Sequence, residues 1–175
     1  MLFRSEIPEP IRSLFSIINL NQIVGILRED SASQKLRKLA GFFQMFRDEE
    51  APSLQSLSSD RRLFELVGRS AGLEPFARIL LSKTGVCRHR STCFVVLANY
   101  FGIPAQAQFC MMHQYVEVPV TLNRKNGLLK VDLGGGQIDI EVQPPDLSFI
   151  EKKSKETFVA CIRDLNQERS SRSEE

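Results

Sequence analysis

No apolar run in the 175-residue chain approaches the roughly 20 residues that a membrane span requires, so no transmembrane segment is expected. The opening "MLFRSEIPEPIRSLF" lacks a long apolar stretch after its basic residue. No secretory signal is read there, and the expected location is cytoplasmic, or exported without a cleavable signal peptide. Charge of one sign is also scarce. With 23 Lys and Arg against 21 Asp and Glu, the net charge is +2. That balance gives no electrostatic case for nucleic acid or an anionic membrane as partner. Cysteine is sparse too: Cys87, Cys93, Cys110 and Cys161 are unevenly spaced and mostly set in apolar sequence. Such a pattern points to reduced thiols and not to a disulfide framework.

The ligand set for a metal is equally thin. Cys87, His89, Cys93, Cys110 and His113 supply enough donors on paper, but no Cys-x-x-Cys or His-x-x-x-His pair occurs. Cys93 would also have to leave an apolar helix face, so no metal is expected. The "GGGQ" at 134–137 is not followed by Lys-Ser/Thr. It reads as a flexible turn and not as a phosphate loop, and no cofactor is expected. There is no internal repeat.

What remains is the composition of an ordinary globular protein, 42% hydrophobic and 25% charged, long enough to bury a real core. One domain is expected over 1–165: a helical part at 1–80, a core at 81–142 and a C-terminal segment at 143–165. A polar, flexible tail at 166–175 follows. Within the first part, "IRSLFSIINLNQIVGIL" suits one or two short helices. "SASQKLRKLAGFFQMFRD" places Leu36, Leu39, Phe43 and Phe46 on one helical face, with Ser31 or Ser33 as its cap. "APSLQSLSSDRRLFELVGRSAG" is loop-like and then helical. "LEPFARILLSKTG" suits a short helix with Pro75 in its first turn.

The pattern changes after residue 85. "STCFVVLANYF" is apolar on all sides, which implies a buried helix, and "FGIP" ends it through Gly102 and Pro104. Alternation then marks strands in "QYVEVPV", "LLKVDL" and "IDIEV", with "NRKNG" as a turn signal between the first two. The amphipathic "KETFVACIRDL" suggests a last helix. The order is that of an α+β fold, with N-terminal helices and a central buried helix packed on a small antiparallel sheet.

"GVCRHRSTCFVVLANYFGIPAQ", residues 85–106, carries the densest chemical signal. A cysteine at the start of a buried helix meets free N–H groups and a partial positive charge, which favour thiolate over thiol and can hold an oxyanion. A base is still needed. His89 is two residues from Cys87, a spacing that turns its side chain away. His113 opens a strand, and Asp132 closes the next. Strands joined by a tight turn run antiparallel, so the two can meet. The midpoint of 113 and 132 falls between 122 and 123, while the turn signal covers 123–127. A simple hairpin therefore staggers the pair by a few residues unless a bulge or an earlier turn corrects it. Cys93, Cys110 and Cys161 read as packing residues. Arg88, His89 and Arg90 read as a basic cluster on a solvated loop, open to salt-bridging, with the binding of an acidic substrate group as the alternative.

"GVCRHRSTCFVVLANYFGIPAQ", then "HQYVEVPV", then "VDLGGG" together resemble the transglutaminase-like superfamily, a branch of the papain-like cysteine fold. The family shape is Gly-x-Cys heading a central helix and Gly-Ile-Pro-Ala after it. A strand of the type His-x-aromatic-x-Glu-Val follows, and an Asp closes the next strand. The match covers roughly residues 80–136. Gln106 stands where the family often has Arg, and Gly127-Leu128 where it often has an aromatic residue; neither is a catalytic position. The resemblance implies that Cys87 is the nucleophile, His113 the base and Asp132 the orienting carboxylate. It implies a cysteine-dependent acyl-transfer enzyme working through a thioester on amide or peptide bonds of a protein or peptide substrate. Protease, amidase, deamidase and transglutaminase outcomes all use that intermediate. The rival expectation is a transglutaminase-like fold kept as a non-catalytic protein-binding module.

Overall fold

The computed structural model describes residues 7–110, 113–122, 125–133 and 139–143. The expected C-terminal helix, the polar tail and the 134–137 glycine run lie outside them, as does Cys161. The fold class is α+β. Six helices precede the candidate site: α1 (Glu9–Ile17), α2 (Leu20–Val24), α3 (Ala32–Gln44), α4 (Leu54–Leu57), α5 (Arg61–Arg69) and α6 (Leu73–Ser82). The central helix α7 (Cys87–Tyr100) follows, then strands β1 (Gln106–Cys110), β2 (His113–Leu122), β3 (Lys125–Asp132) and β4 (Asp139–Gln143).

Local chemistry accounts for several boundaries. Ser31 heads α3 with a reciprocal capping box: its hydroxyl accepts from the Gln34 N–H at 3.2 Å, and the Gln34 side chain accepts from the Ser31 N–H at 2.7 Å. Asp60 caps α5 by accepting from the Arg62 N–H at 2.9 Å. At the end of α7, Gly102 adopts φ +80°, donates to the Asn99 carbonyl at 3.0 Å, and lets Ile103 donate to the Ala98 carbonyl at 2.8 Å. That pair of bonds is a Schellman motif, and Pro104 forbids a further turn. The helix itself starts at Cys87, four residues before the apolar run that signals it in the sequence.

The helical layer is fused to the central helix by aromatic rings. Phe15 of α1 meets Tyr100 of α7 edge-on at 4.7 Å between ring centroids, and Phe43 of α3 lies 5.4 Å from Phe94 of α7. Phe46 is just past the end of α3 yet still buried beside Phe42 and Phe43. The other side of α7 faces the sheet, a meander in the order β1-β2-β3-β4 with every pairing antiparallel. Val116, Val118, Leu129 and Val131 are buried on one sheet face, in cross-strand register as Val116 with Val131 and Val118 with Leu129. Residues of opposite parity, including His113, Tyr115, Glu117, Lys130 and Asp132, take the other face and are half-buried.

Two details differ from the sequence expectation. β1 is a strand that the alternation rule passes over, because "QAQFC" offers one strong apolar residue, Phe109, and that residue is exposed. The "NRKNG" turn signal also runs too far: Leu122 pairs with Lys125, so Lys125–Gly127 already belong to β3. Among the described residues, no helix is long and apolar enough to cross a membrane.

Candidate active site

Gly85 controls the approach to Cys87. It is buried, with φ +139°, and a Cβ placed on it would lie 2.9 Å from the His89 Cβ. Both the backbone conformation and the space therefore require glycine. Its N–H donates to the Arg47 carbonyl at 2.9 Å, and its carbonyl accepts from the Arg90 Nε at 2.7 Å. The chain entering α7 is thus pinned on both sides of one residue. Val86 is the N-cap in extended geometry, and no side chain caps the helix. Among the described residues, no side chain accepts from the first-turn N–H groups beside Cys87.

Cys87 is a half-buried free thiol in that first turn. Cys93, two turns on, is fully buried, and the apolar surroundings push its thiol up to about 12. His89 also lies in the first turn. Partial burial lowers it below the usual histidine value, and the neighbouring Arg88 cation adds to the effect. Its ring packs under Gly85, with Nδ1 3.5 Å from where a Cβ on that glycine would lie.

His113 and Asp132 meet. The His113 Nε2 lies 2.8 Å from each carboxylate oxygen of Asp132. An ionised carboxylate only accepts, so Nε2 carries the donated hydrogen and Nδ1 holds the lone pair in the neutral ring. Since Val116 faces Val131, the next positions outward are Tyr115 and Asp132, and His113 is two residues further along the same face. The stagger expected from the sequence is real. The β2–β3 register holds from Val116–Val131 to Leu122–Lys125 without a bulge, and the side chains close the diagonal. Further along this face polar contacts precede an apolar end at Pro119 and the exposed Leu128. Glu117 accepts from Gln106 at 3.2 Å and from Gln108 at 2.9 Å, and the Lys130 ammonium sits 4.6 Å from the Tyr115 ring centroid.

Two ties bind the Cys87 end of α7 to the strands that carry the pair. The Ser91 hydroxyl, one turn beyond Cys87, donates to the carbonyl of Gln114 at 3.1 Å, next to His113. The Arg90 Nη1 donates to the carbonyl of Leu133 at 3.0 Å, next to Asp132. The Arg90 Nη2 also pairs with Asp48. The structure thus brings His113 and Asp132 into contact, whereas among the described residues the Cys87 thiol makes no hydrogen bond to either; the ties belong to its α7 neighbours Arg90 and Ser91.

The structure corrects one reading of the sequence. Arg90 is not part of a solvated basic cluster; it is 3% exposed and satisfied on three sides. A signal for this is present, because Arg90, Phe94 and Leu97 fall at i, i+4 and i+7 on the buried face of α7. A charge on such a face demands partners. Gln114 is a second buried polar residue that alternation alone would place on the core face without revealing its use. Among the described residues, no group of three or more His, Cys, Asp or Glu side chains could hold a metal ion. A cleft of about 320 Å³ between Leu27, Arg28, Lys35 and Tyr100 sits at the other end of α7, ~20 Å from Cys87 at the helical rise of about 1.5 Å per residue.

No protein-family model, curated protein or solved structure matches this chain.

Proposed function

We propose that this protein is a cysteine-dependent acyl-transfer enzyme built on a transglutaminase-like, papain-like core. The observation that carries the reading is the His113–Asp132 bond, because it leaves the His113 Nδ1 as the basic nitrogen. Cys87 at the uncapped start of α7 supplies the sulfur. In the proposed cycle, His113 Nδ1 accepts the thiol proton as Cys87 Sγ attacks the carbonyl carbon of an amide or peptide bond. First-turn N–H groups of α7 stabilise the oxyanion. The imidazolium, held by Asp132, then protonates the departing amine, and the C–N bond breaks to leave a thioester on Cys87. Water ends the cycle by hydrolysis, with His113 taking its proton; a primary amine ends it by transamidation. The proposed substrate is a protein or peptide, the class that the resemblance implies; Cys87, His113 and Asp132 are each half-buried and so within reach of a bound chain.

The test has two arms. Alkylation of the folded protein with iodoacetamide across a pH series should modify Cys87 ahead of a free thiol near neutral pH, and His113→Ala should move the reaction to higher pH. A glutamine-containing protein substrate is then offered with and without a labelled primary amine. Label that depends on Cys87 identifies transamidation; ammonia or new N-termini identify hydrolysis. Cys87 reacting no faster than an unstructured cysteine, with no product in either assay, would leave a binding module on the same fold.

A further inference from the structure

We infer that Arg90 is a positioning residue for the Cys87 site, acting by fixing the start of α7 against the end of β3. The inference rests on the acyl-transfer reading above and adds to it a residue that touches none of the three candidate catalytic groups. Arg90 is three residues beyond Cys87, and its side chain is only 4% exposed. Its guanidinium uses a different nitrogen for each of three partners: Nε to the Gly85 carbonyl at 2.7 Å, Nη1 to the Leu133 carbonyl at 3.0 Å, and Nη2 to the Asp48 carboxylate. Gly85 is two residues before Cys87, and Leu133 directly follows Asp132. A single rigid fork therefore spans the two backbone segments whose spacing sets the nucleophile against the base and its carboxylate.

Packing alone does not account for the residue. Its position belongs to the face that otherwise presents Phe94 and Leu97, where an apolar side chain would fill the space without the desolvation cost of a buried cation. What an apolar side chain cannot do is hold two carbonyls at a set distance. Lysine cannot do it either, because its ammonium is a point charge on a flexible stem and lacks the planar fork. Asp48 supplies the balancing charge from a more exposed position, 59% accessible, and so orients the guanidinium from the solvent side. The arrangement is complete: among the described residues no buried side-chain nitrogen or oxygen lacks a partner. Sub-ångström positioning of reacting groups is worth large rate factors, which gives such a brace a function beyond stability.

The experiment compares the full chain with Arg90→Lys, Asp48→Asn, His113→Ala and the Arg90→Lys/His113→Ala double variant. The readout is the pH–rate profile for iodoacetamide at Cys87, mapped by peptide mass spectrometry, with circular dichroism to establish folding. Arg90→Lys keeps the charge and loses the fork. It should fold and lower the Cys87 rate near neutral pH by about tenfold, the scale expected for a misplaced catalytic pair. The double variant should lose no more than His113→Ala alone, because both changes remove the same interaction. A folded Arg90→Lys with the wild-type profile, or fully additive losses, overturns the inference and leaves the acyl-transfer reading standing. A wild-type Cys87 that reacts like a free thiol overturns both. If Arg90→Lys does not fold, Asp48→Asn decides: a rate loss of at least about threefold in a folded protein is expected from the disoriented guanidinium, and an unchanged profile overturns the inference.

Discussion

His113 and Asp132 are offset by two residues across the β2–β3 hairpin, and the imidazole reaches over the diagonal to place Nε2 2.8 Å from both carboxylate oxygens. The pair is partly solvated, with side chains 40% and 27% exposed. Exposed ion pairs contribute about 0–1 kcal/mol to stability, so this contact does little to hold the hairpin. Asp132→Asn, which keeps the size of the side chain and its capacity to hydrogen-bond, is therefore expected to leave the thermal midpoint nearly unchanged. It should still lower Cys87-dependent reactivity by about tenfold or more, because the ring loses its tautomer and orientation. Thermal melts and alkylation rates on the same samples separate the two effects. A large loss of stability with unchanged reactivity would make the pair a structural tie.

The parts of the site differ in how legible they are in the sequence. Cys87, His113 and Asp132 are candidates only as a constellation across three separated blocks, not by residue type, and the hairpin arithmetic foresees the stagger between the last two. The α3 cap at Ser31 and the Gly102 terminus of α7 are local signals, each fulfilled by its own hydrogen bonds. Arg90 is hidden because "CRHR" looks like a charge run until the helix is extended back to Cys87, which turns one of its cations inward. β1 is hidden because its pairing with β2 is a tertiary event: Gln106 and Gln108 meet Glu117 across strands, which no alternation of apolar residues records. The brace from Arg90 to Leu133 spans 43 residues and is invisible to any local rule.

Gly85 and Gly102 make a paired prediction. Both have positive φ, but a Cβ on Gly85 collides with His89, whereas one on Gly102 meets nothing within 4 Å. Gly102→Ala should cost about 1 kcal/mol, the conformational penalty alone. Gly85→Ala adds the collision and should cost roughly 2–3 kcal/mol. It should also slow alkylation of Cys87, since the displaced peptide carries the Arg90 contact. Chemical denaturation of both variants is the check. Equal costs would mean that His89 yields freely and that crowding does not dictate the glycine.

Cys87 and Cys93 should separate by reactivity in the native protein. Burial raises the Cys93 thiol to about 12, so at pH 8 only about one molecule in 10⁴ carries its thiolate, and the side chain is inaccessible as well. Cys87 should be modified first and Cys93 only as the protein unfolds. In 6 M guanidinium the two should react alike. Peptide mapping at short times distinguishes them; native-state labelling of Cys93 at the pace of Cys87 would mean that α7 opens readily.

His89 should make stability depend on pH in a defined window. Its folded value is depressed from 6.5, first by burial and then by Arg88. Below 6.5 the unfolded chain therefore binds more protons at this position than the folded one, and stability falls as the pH drops towards the depressed folded value. Above 6.5 the residue is neutral in both states and the dependence vanishes. Asp30, lowered from 3.8 chiefly by its hydrogen bond to Lys38, also loses its contribution as the pH falls, but only below that carboxylate range. The two windows begin at different pH values, near 6.5 and near 3.8. His89→Gln should flatten the stability profile just below pH 6.5 and leave intact the acid limb that Asp30 contributes below about 3.8. Denaturation midpoints for both proteins at half-unit pH steps measure the difference, and parallel curves through the upper window would show that His89 titrates alike in the folded and unfolded chain.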